Sequence, residues 1–410
     1  MIKSIKQQHS MAKFMMKTTA NQNVMIFHQA KQQGFHQNVK LANNQNAQLS
    51  HLVIGGGSGF LGKQVLKQLL KSHKGAAGDG FTQFQDELSN LSQITIISRN
   101  PKETKLALEK ELKNLNLEKN SLIQIGVKNW KDDDSVFLFN HQIFDEKETY
   151  GRDKKVAAIN LSGVSIGKQS WTPKYRKEIF ESRTKTTLDL IQYLDSFGES
   201  ASTFIGTSAV GFYPCTTDGN QTNVYTEDLT TPANNQFGEL TNAVEEAIKN
   251  TNSNNIKNKI IMRPGVLIGK GGGVLNDMMV PYIGLAIPIV FGNGNQPFSC
   301  IHLEDAANMY IHALYQNFNS QNKQVAIYNT VMPELVNFKQ FVKCLNSKAN
   351  PFSFPLIPFP YSIVKTIFGK ERAQLLCEGQ FVLPARAQQE NFQFKYPTLD
   401  SMIEQVTSRK

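Results

Sequence analysis

Short apolar runs alternate with segments in which apolar residues recur every three or four positions along residues 51–265. The short runs have the length and composition of buried strands, and the second pattern is that of helices with one apolar face. The predicted strands are 52–54, 94–98, 121–127, 156–163, 203–208 and 259–265; the predicted helices start after residue 60 and cover 102–116, 173–194 and 236–250. Strands that alternate with helices predict a parallel, doubly wound α/β sheet.

The alternation stops near residue 270, where glycine loops, apolar segments and one helical pattern follow without a regular order. We therefore expect three regions: residues 1–50 as a presequence or disordered tail, 51–269 as an α/β domain, and 270–410 as a smaller substrate lobe with a C-terminal domain. Residues 130–155 are polar and predict a long loop. The proline-rich apolar segment 354–369 either packs in the core or docks on a membrane or a protein complex.

One stretch carries a chemical signal, the sequence VIGGGSGFLG, in which Gly56, Gly59 and Gly62 are spaced three apart. It joins the first predicted strand to the first predicted helix, and in that context such a glycine pattern binds a dinucleotide. Glycine permits a tight turn and lets a pyrophosphate approach the main chain, while the helix N-terminus offers unpaired N–H groups and partial positive charge. We expect the ligand at the carboxyl ends of the strands.

Charge is distributed unevenly along the chain. Residues 1–50 hold six lysines and no acidic residue, so of the net charge of +10 only +4 remains for residues 51–410. That balance, with no basic cluster among aromatic residues, argues against a nucleic-acid-binding face. The N-terminal segment, rich in lysine, glutamine and asparagine, resembles an organellar presequence and predicts a mitochondrial protein; the alternative is a disordered tail on a cytoplasmic one.

The remaining composition argues against other kinds of site. The four cysteines, Cys215, Cys300, Cys344 and Cys377, are far apart, so we expect neither a disulfide framework nor a zinc or other metal site. No apolar run of about 18 residues occurs, so no membrane span is expected.

Several longer motifs follow one another in a characteristic order. They are GGSGFLG, INLSGVSIGKQSWTPKYRKEIFESRTKTT, GTSAVGFYP, YTED, RPGVLIGKGGGVL, GNGNQPFSCIHLEDAA and EGQFVLPARAQQENFQFKYPTL. This series resembles the extended short-chain dehydrogenase/reductases. Within them it is most similar to the NAD-dependent epimerase/dehydratase branch with an additional C-terminal domain, some bacterial members of which are labelled cell-division inhibitors. The resemblance spans residues 51–406 and implies a Rossmann-type domain at 51–269, a bound nicotinamide dinucleotide and a small-molecule substrate that the family leaves unassigned.

The resemblance assigns cofactor contacts residue by residue. An arginine just after the second strand suits the 2′-phosphate of NADP, whereas an acidic residue there would bind the ribose hydroxyls of NAD. We therefore expect NADP(H), with NAD(H) as the alternative. The implied cofactor contacts are Gly56, Ser58, Gly59, Phe60, Leu61 and Gly62 in the turn, Ser98 and Arg99 after strand two, Leu161, Ser162 and Gly163 after strand four, and Arg263 in strand six.

His302 and Asp305 match a downstream IHxxD motif of the same family. The structural alternative for both is that they cap the helix predicted to follow them.

The resemblance also reveals a gap in the catalytic machinery. Short-chain dehydrogenases combine a serine or threonine with a tyrosine and a lysine spaced Y-x-x-x-K, where the lysine lowers the tyrosine pKa. Ser208 matches the serine and is the candidate catalytic residue. Phe237 and Thr241 occupy the tyrosine and lysine positions; phenylalanine has no proton to give and threonine has no charge. By motif position, Tyr213 and Glu227 are the nearest other proton donors.

Two functions stay open at this point. The first is an NADP-dependent oxidoreductase or epimerase with an unusual proton donor. The second is a non-catalytic dinucleotide-binding scaffold or accessory subunit of a mitochondrial complex, for which an accessory subunit of respiratory complex I, from a related branch, is the precedent. The glycine turn, Ser208 and the substrate-lobe motifs favour the first function, and the missing tyrosine–lysine pair favours the second.

Overall fold

The protein is built from short strands and amphipathic helices that alternate along the chain. The computed structural model describes residues 48–73, 88, 90–114, 123–129, 135–138, 154–219, 223–275, 288–318, 320, 325–349 and 354–408. The described strands are Gln48–Gly55 (β1), Gln93–Ile97 (β2), Gln124–Lys128 (β3), Ser135–Phe137 (β4), Lys154–Asn160 (β5), Ala201–Thr207 (β6), Val224–Tyr225 (β7), Asn258–Pro264 (β8), Val266–Ile268 (β9), Ile289–Phe291 (β10), Cys300–His302 (β11), Ala326–Thr330 (β12), Ile357–Phe359 (β13) and Phe381–Val382 (β14).

The described α-helices follow the same alternation. They are Phe60–His73 (α1), Pro101–Asn114 (α2), Pro173–Asp195 (α3), Gln236–Lys249 (α4), Leu303–Phe318 (α5), Phe338–Ala349 (α6), Tyr361–Phe368 (α7), Lys370–Cys377 (α8), Ala385–Gln389 (α9) and Leu399–Thr407 (α10).

Eight of the strands form one sheet in the order β12-β8-β6-β5-β1-β2-β3-β4. Every neighbouring pair is parallel except β3 and β4, which are antiparallel. The strand order reverses between β1 and β5, which are neighbours although β2 to β4 lie between them in sequence. This is the doubly wound, Rossmann-type sheet that the sequence predicts, and the switch point between β1 and β5 is where such sheets bind ligands.

Helices cover both faces of the sheet, and successive residues of β1 show why. Leu52 and Ile54 belong to a core cluster that contains side chains of α1, α2 and α5, whereas Val53 belongs to a second cluster with α3 and α4. Side chains of a strand point alternately to the two faces, so an unbroken apolar run such as this one fits a strand that is buried on both sides.

Two cap residues fix the helices on the second face. The Thr172 hydroxyl accepts a hydrogen bond from the Tyr175 N–H at the start of α3, with Pro173 in the first turn. The Asn235 side chain accepts from the N–H groups of Phe237 and Gly238 and begins α4.

The structure departs from the sequence prediction in two places. β4 and the first residues of β5 lie inside 130–155, which we predicted to be a loop; most other residues of that segment lie outside the described part of the chain. The main sheet also continues beyond residue 269, because β12 pairs with β8 and forms its seventh parallel strand. The regular rhythm is lost there since β9, β11 and a glycine loop come between β8 and α5.

The C-terminal part of the chain has a core of its own. β10 pairs with β13, and aromatic and aliphatic side chains from α6, α7, α8 and α10 gather around them. Phe291 on β10 packs against Phe338, Phe359 and Phe368, with ring centroids 5.9 to 6.4 Å apart. This cluster forms the base on which the segment 354–369 lies.

The predicted presequence falls almost entirely outside the described residues. Its last three positions, 48–50, are the start of β1, so the folded part begins slightly earlier than the sequence analysis expects. Within the described residues, no helix has both the length and the apolar character needed to cross a membrane.

Candidate functional site

The glycine turn brings two main-chain segments into direct contact. Gly56 has φ +74°, and a Cβ placed on it would lie 2.8 Å from the carbonyl of Leu161. A Cβ on Gly62 would lie 2.4 Å from the Gly56 oxygen, which accepts a hydrogen bond from the Gly59 N–H at 2.9 Å. Glycine is required here both for the left-handed backbone and for the close approach.

The end of β5 is held beside this turn by a residue that the sequence analysis missed. Asn160 is buried, and its amide N–H donates to the hydroxyl of Thr187 on α3 at 3.0 Å. Its Oδ1 accepts from the Ser162 N–H at 3.0 Å, and the Leu161 N–H donates to the Gly55 oxygen at 2.8 Å. A single asparagine at the end of the apolar run VAAIN is the signal that could have identified it.

The N-terminus of α1 opens at the same switch point. The N–H groups of Phe60, Leu61 and Gly62 belong to the first turn, where an α-helix leaves its donors without intrahelical partners. The Leu61 side chain is buried. The Phe60 ring packs against Gly272 in the glycine loop after β9, so closely that a Cβ at position 272 would lie 2.6 Å from the ring. Both side chains serve packing, so the main chain is what this turn can offer to an anion.

A cleft of about 460 Å³ lies where the loop after β2 faces the loop after β5. Its lining begins at Gly163, two residues after Leu161, which lies against Gly56 in the turn. Arg99 and Lys168 are both exposed, and neither forms an ion pair with another described residue. The Ser98 hydroxyl is occupied within its own loop, since it bonds Thr104 at 2.7 Å and accepts from the Asn100 N–H. The cleft is lined by Arg99, Gly163, Val164, Ser165, Lys168, Gln169, Tyr175 and Glu178.

Ser208, at the end of β6, belongs to a buried polar cluster rather than to the cleft. Its hydroxyl donates to Glu245 Oε1 at 3.0 Å. The Glu245 carboxylate, fully buried on α4, also accepts from Nε and Nη2 of Arg263 at 2.8 and 2.9 Å and from Lys249 Nζ at 3.3 Å. The role that we expect for Ser208, polarising a substrate oxygen, needs a free O–H. In this structure the O–H donates to Glu245, so Ser208 can offer a ligand only its oxygen lone pairs, as a hydrogen-bond acceptor.

Arg263 is likewise committed to the protein interior. It is fully buried, its guanidinium stacks 3.6 Å from the ring centroid of Phe212, and Nη1 donates to the Tyr213 hydroxyl at 2.8 Å. Burial opposes the charge of Arg263, but hydrogen bonds to Glu245 outweigh it and raise the pKa of the guanidinium. The resemblance implies that Arg263 contacts the cofactor, whereas the described hydrogen bonds of its side chain all go to Glu245 or Tyr213.

The two other proton-donor candidates are also bound within the fold. Tyr213 donates to Asn329 Oδ1 at 2.7 Å, and burial raises the pKa of its phenol to about 12. Glu227 accepts from the N–H groups of Asn329 and Arg386, while burial raises the pKa of its carboxyl group. These side chains join β6, β8 and β12 to the chain around α9.

Phe237 and Thr241 lie on α4 in surroundings that suit their apolar or uncharged character. Phe237 packs edge-on against Trp171 with ring centroids 5.4 Å apart, in a cluster with Tyr175, Ile179 and Leu240. The Thr241 hydroxyl donates to the Phe237 carbonyl of its own helix at 2.9 Å.

The IHxxD motif ties the C-terminal segment to α5. His302 Nδ1 accepts from the Glu304 N–H at 3.2 Å, and the Asp305 carboxylate accepts from the N–H groups of Lys395 and Tyr396 at 2.8 Å. Burial raises the pKa of Asp305 to about 6. The capping alternative therefore describes His302, and Asp305 anchors a distant chain segment.

A family model decides the classification of the chain. The model described as "NAD dependent epimerase/dehydratase family" matches residues 52–329. That range contains the glycine turn, Arg99, Ser208 and the eight-stranded sheet apart from the first four residues of β1 and the last residue of β12. The chain belongs to this family. A second model, described as a domain of unknown function (DUF1731), matches residues 359–406.

Related epimerase-family proteins occur in animals and bacteria. The chain is 28% identical to the human epimerase family protein SDR39U1 over 65% of this chain and 86% of that protein. It is 26% identical to the Bos taurus protein of the same name over 87% and 99%. Against the Bacillus subtilis epimerase family protein YfhF, it is 30% identical over 60% and 77%.

Two solved structures share the fold of this chain. A crystal structure of human SDR39U1 (isoform 2) with NADPH superposes with a TM-score of 0.63 at 23% identity, covering 87% of this chain and 99% of that one. A UDP-glucuronic acid 4-epimerase from Bacillus cereus, in complex with UDP-glucuronic acid and NAD, superposes with a TM-score of 0.57 at 14% identity, covering 87% and 98%. At these identities the likeness concerns the fold.

Proposed function

We propose that this epimerase-family protein binds NADP(H) at the β1–β5 switch point. The observation that carries the proposal is the contact between Gly56 and the Leu161 main chain, which leaves a surface of backbone atoms beside the N-terminus of α1. A pyrophosphate needs such a side-chain-free approach together with unpaired N–H donors.

The cleft beside the turn supports NADP(H) over NAD(H). Arg99 and Lys168 supply positive charge there, and Arg99 follows β2, the position that discriminates the two cofactors in Rossmann-type folds. A 2′-phosphate would find a guanidinium that is not committed to another described residue. The human relative crystallised with NADPH is consistent with this choice.

For chemistry, we propose an oxidoreductase or epimerase of small molecules that works without the tyrosine–lysine pair of its superfamily. The dinucleotide supplies hydride transfer when bound. This chain would contribute Ser208, whose oxygen can accept a hydrogen bond from a substrate hydroxyl while its own O–H donates to Glu245. Since Tyr213 is buried and already donates to Asn329, it is a poor proton donor in this conformation.

One observation favours the second candidate, a non-catalytic dinucleotide-binding subunit of a larger assembly. The position that we align with the catalytic tyrosine is Phe237, and it is packed into an apolar cluster against Trp171. The proton relay of the superfamily therefore cannot run through Phe237 and Thr241, which occupy the tyrosine and lysine positions.

A panel experiment separates the two candidates. Purified protein loaded with NADPH is mixed with sugars, quinones and carbonyl compounds while the NADPH absorbance is followed. We expect turnover with one chemical class and a loss of up to about tenfold in Ser208→Ala with unchanged NADPH affinity, because one hydrogen bond to the substrate is removed. No turnover with any class, together with stable co-purification in a larger complex, would favour the subunit.

We further propose that the lysine-rich segment before β1 directs the chain to mitochondria. A deletion of residues 2–46 stops before β1, which begins at Gln48. A tagged chain with this deletion should stay in the cytosol and still bind NADPH. Fractionation of cells that express the full and shortened chains is the measurement. Normal mitochondrial import of the shortened chain would contradict the proposal.

A further inference from the structure

Large exposed apolar side chains are concentrated in one short stretch of the C-terminal region. Among the described residues there are six such side chains, and four of them, Phe354, Ile357, Ile363 and Ile367, are 43 to 61% exposed within residues 354–367. The other two, Leu106 and Leu188, stand alone on α2 and α3. Isolated exposed leucines are ordinary in soluble proteins, but a run of this kind marks a contact surface.

The two faces of α7 explain why these side chains point outward. Val364 is fully buried, and the Phe368 ring packs against Phe291 on β10 with centroids 6.4 Å apart. Ile363 and Ile367 are one turn apart on the helix and remain exposed. Other residues therefore fill the inner face of α7, and the packing of the core does not require these two isoleucines. We call the exposed side chains of residues 354–367 the 354–367 face.

The adjoining strand cannot recruit a partner strand through its free edge. The Ile357 N–H donates to Pro288 and the Phe359 carbonyl accepts from Gly292, each at 2.9 Å, so the main chain of both residues faces β10. The main chain of Pro358 faces the other edge, where proline has no N–H to donate. A partner must therefore contact this face through side chains and not by extending the sheet.

The charges along the stretch indicate what covers it. Between residues 354 and 370 the only charged side chains are Lys365 and Lys370, both exposed, and there is no acidic residue. Apolar side chains bordered by lysines match an anionic lipid surface, because the apolar groups enter the acyl boundary while lysine ammonium groups meet the headgroups. We propose that the 354–367 face docks on an anionic membrane surface.

Vesicle sedimentation tests this docking directly with the full-length chain. The probes are vesicles of phosphatidylcholine mixed with phosphatidylglycerol, and vesicles of phosphatidylcholine alone. We expect binding to the anionic vesicles that weakens with added salt and falls at least about tenfold in the double variant Ile363→Asp/Ile367→Asp, since two apolar anchors are lost. Lys365→Gln should weaken binding and reduce its salt dependence.

Matched controls make each outcome decisive. Leu106→Asp/Leu188→Asp places the same two negative charges at exposed leucines outside the face and should leave vesicle binding unchanged. Ile363→Ser/Ile367→Ser replaces the Asp pair if thermal melting shows that the Asp pair is misfolded. The proposal is overturned if the parent chain ignores anionic vesicles or if neither isoleucine double variant weakens binding. Ultracentrifugation that reveals a dimer dissociated by Ile363→Asp would instead assign the face to a second copy of the chain.

Discussion

The glycine turn and the buried cluster around Glu245 lie at the carboxyl edge of the same sheet, yet they are built in opposite ways. The turn is shaped by the absence of side chains: Gly56 and Gly62 let main-chain atoms meet, and the available donors are backbone N–H groups. The cluster is shaped by side chains from β6, β8 and α4, which bind one another and leave little polar capacity for a ligand. We infer from this difference that the turn is the part that serves the cofactor, whereas the cluster chiefly holds the strands that frame it.

The largest effect should follow from breaking the cluster. Glu245→Gln keeps the shape of the side chain but leaves Arg263 as an uncompensated buried charge, so we expect the free energy of unfolding to fall by about 3–5 kcal/mol. The control is Glu239→Gln on the same helix, where the partner Arg176 and the carboxylate are both exposed, and the loss should be roughly 0–1 kcal/mol.

Urea denaturation measures both variants, and NADPH titration below the transition completes the test. Folded Glu245→Gln should retain nearly the parent affinity for NADPH. A variant that is fully stable but no longer binds NADPH would show that the cluster serves the cofactor after all.

Breaking the turn should reduce both the stability of the fold and its affinity for NADPH. In Gly56→Ala the new Cβ meets the Leu161 carbonyl and the backbone must keep φ +74°, so we expect a loss of about 3 kcal/mol in stability and of NADPH affinity by at least about tenfold. Gly271→Ala is the matched control, because Gly271 has φ +82° but nothing within 4 Å of its Cβ position.

Denaturation and calorimetry on the two glycine variants separate the effect of backbone strain from that of the steric clash with Leu161. Gly271→Ala should cost only about 1–2 kcal/mol and keep NADPH affinity, since it has the backbone strain alone. Equal losses of affinity in both variants would mean that the Gly56–Leu161 contact is not what shapes the site.

A smaller effect concerns the pH dependence of β1, the strand that leads into the turn. Burial lowers the pKa of His51 from 6.5 to about 3, so the folded state binds no proton there at moderate acidity while the unfolded state does. The stability that neutral His51 contributes is present above pH 6.5 and is lost as the pH falls towards 3. Between pH 7 and pH 5 we expect a decline of about 2 kcal/mol.

His51→Gln removes this titration and keeps a side chain that can bond Thr95, the partner of His51 at 2.9 Å. We therefore expect the free energy of unfolding of the parent to fall by about 2 kcal/mol more than that of the variant between pH 7 and pH 5. Parallel curves would show that His51 is not held neutral by burial.

The comparison also explains how far the sequence could predict the structure. The turn was predictable because the backbone conformation it needs is signalled locally by Gly56, Gly59 and Gly62 at fixed spacing after an apolar run. The cluster was not, because Glu245 and Arg263 lie on different elements and nothing local in either sequence pairs them. β12 was missed for a related reason: the short strands and loops between residues 266 and 302 interrupt the rhythm on which strand prediction depends.

Cofactor selectivity is the most direct test of the central claim, that the turn and its neighbouring cleft bind NADP(H). Calorimetry should show NADPH bound about ten- to a hundredfold more tightly than NADH, as expected for one charge-assisted contact to the 2′-phosphate. Arg99→Ala should abolish that preference, while Lys102→Ala, in the first turn of α2 and outside the cleft lining, should preserve it. Equal affinities in the parent chain, or a preference that survives Arg99→Ala, would contradict the account.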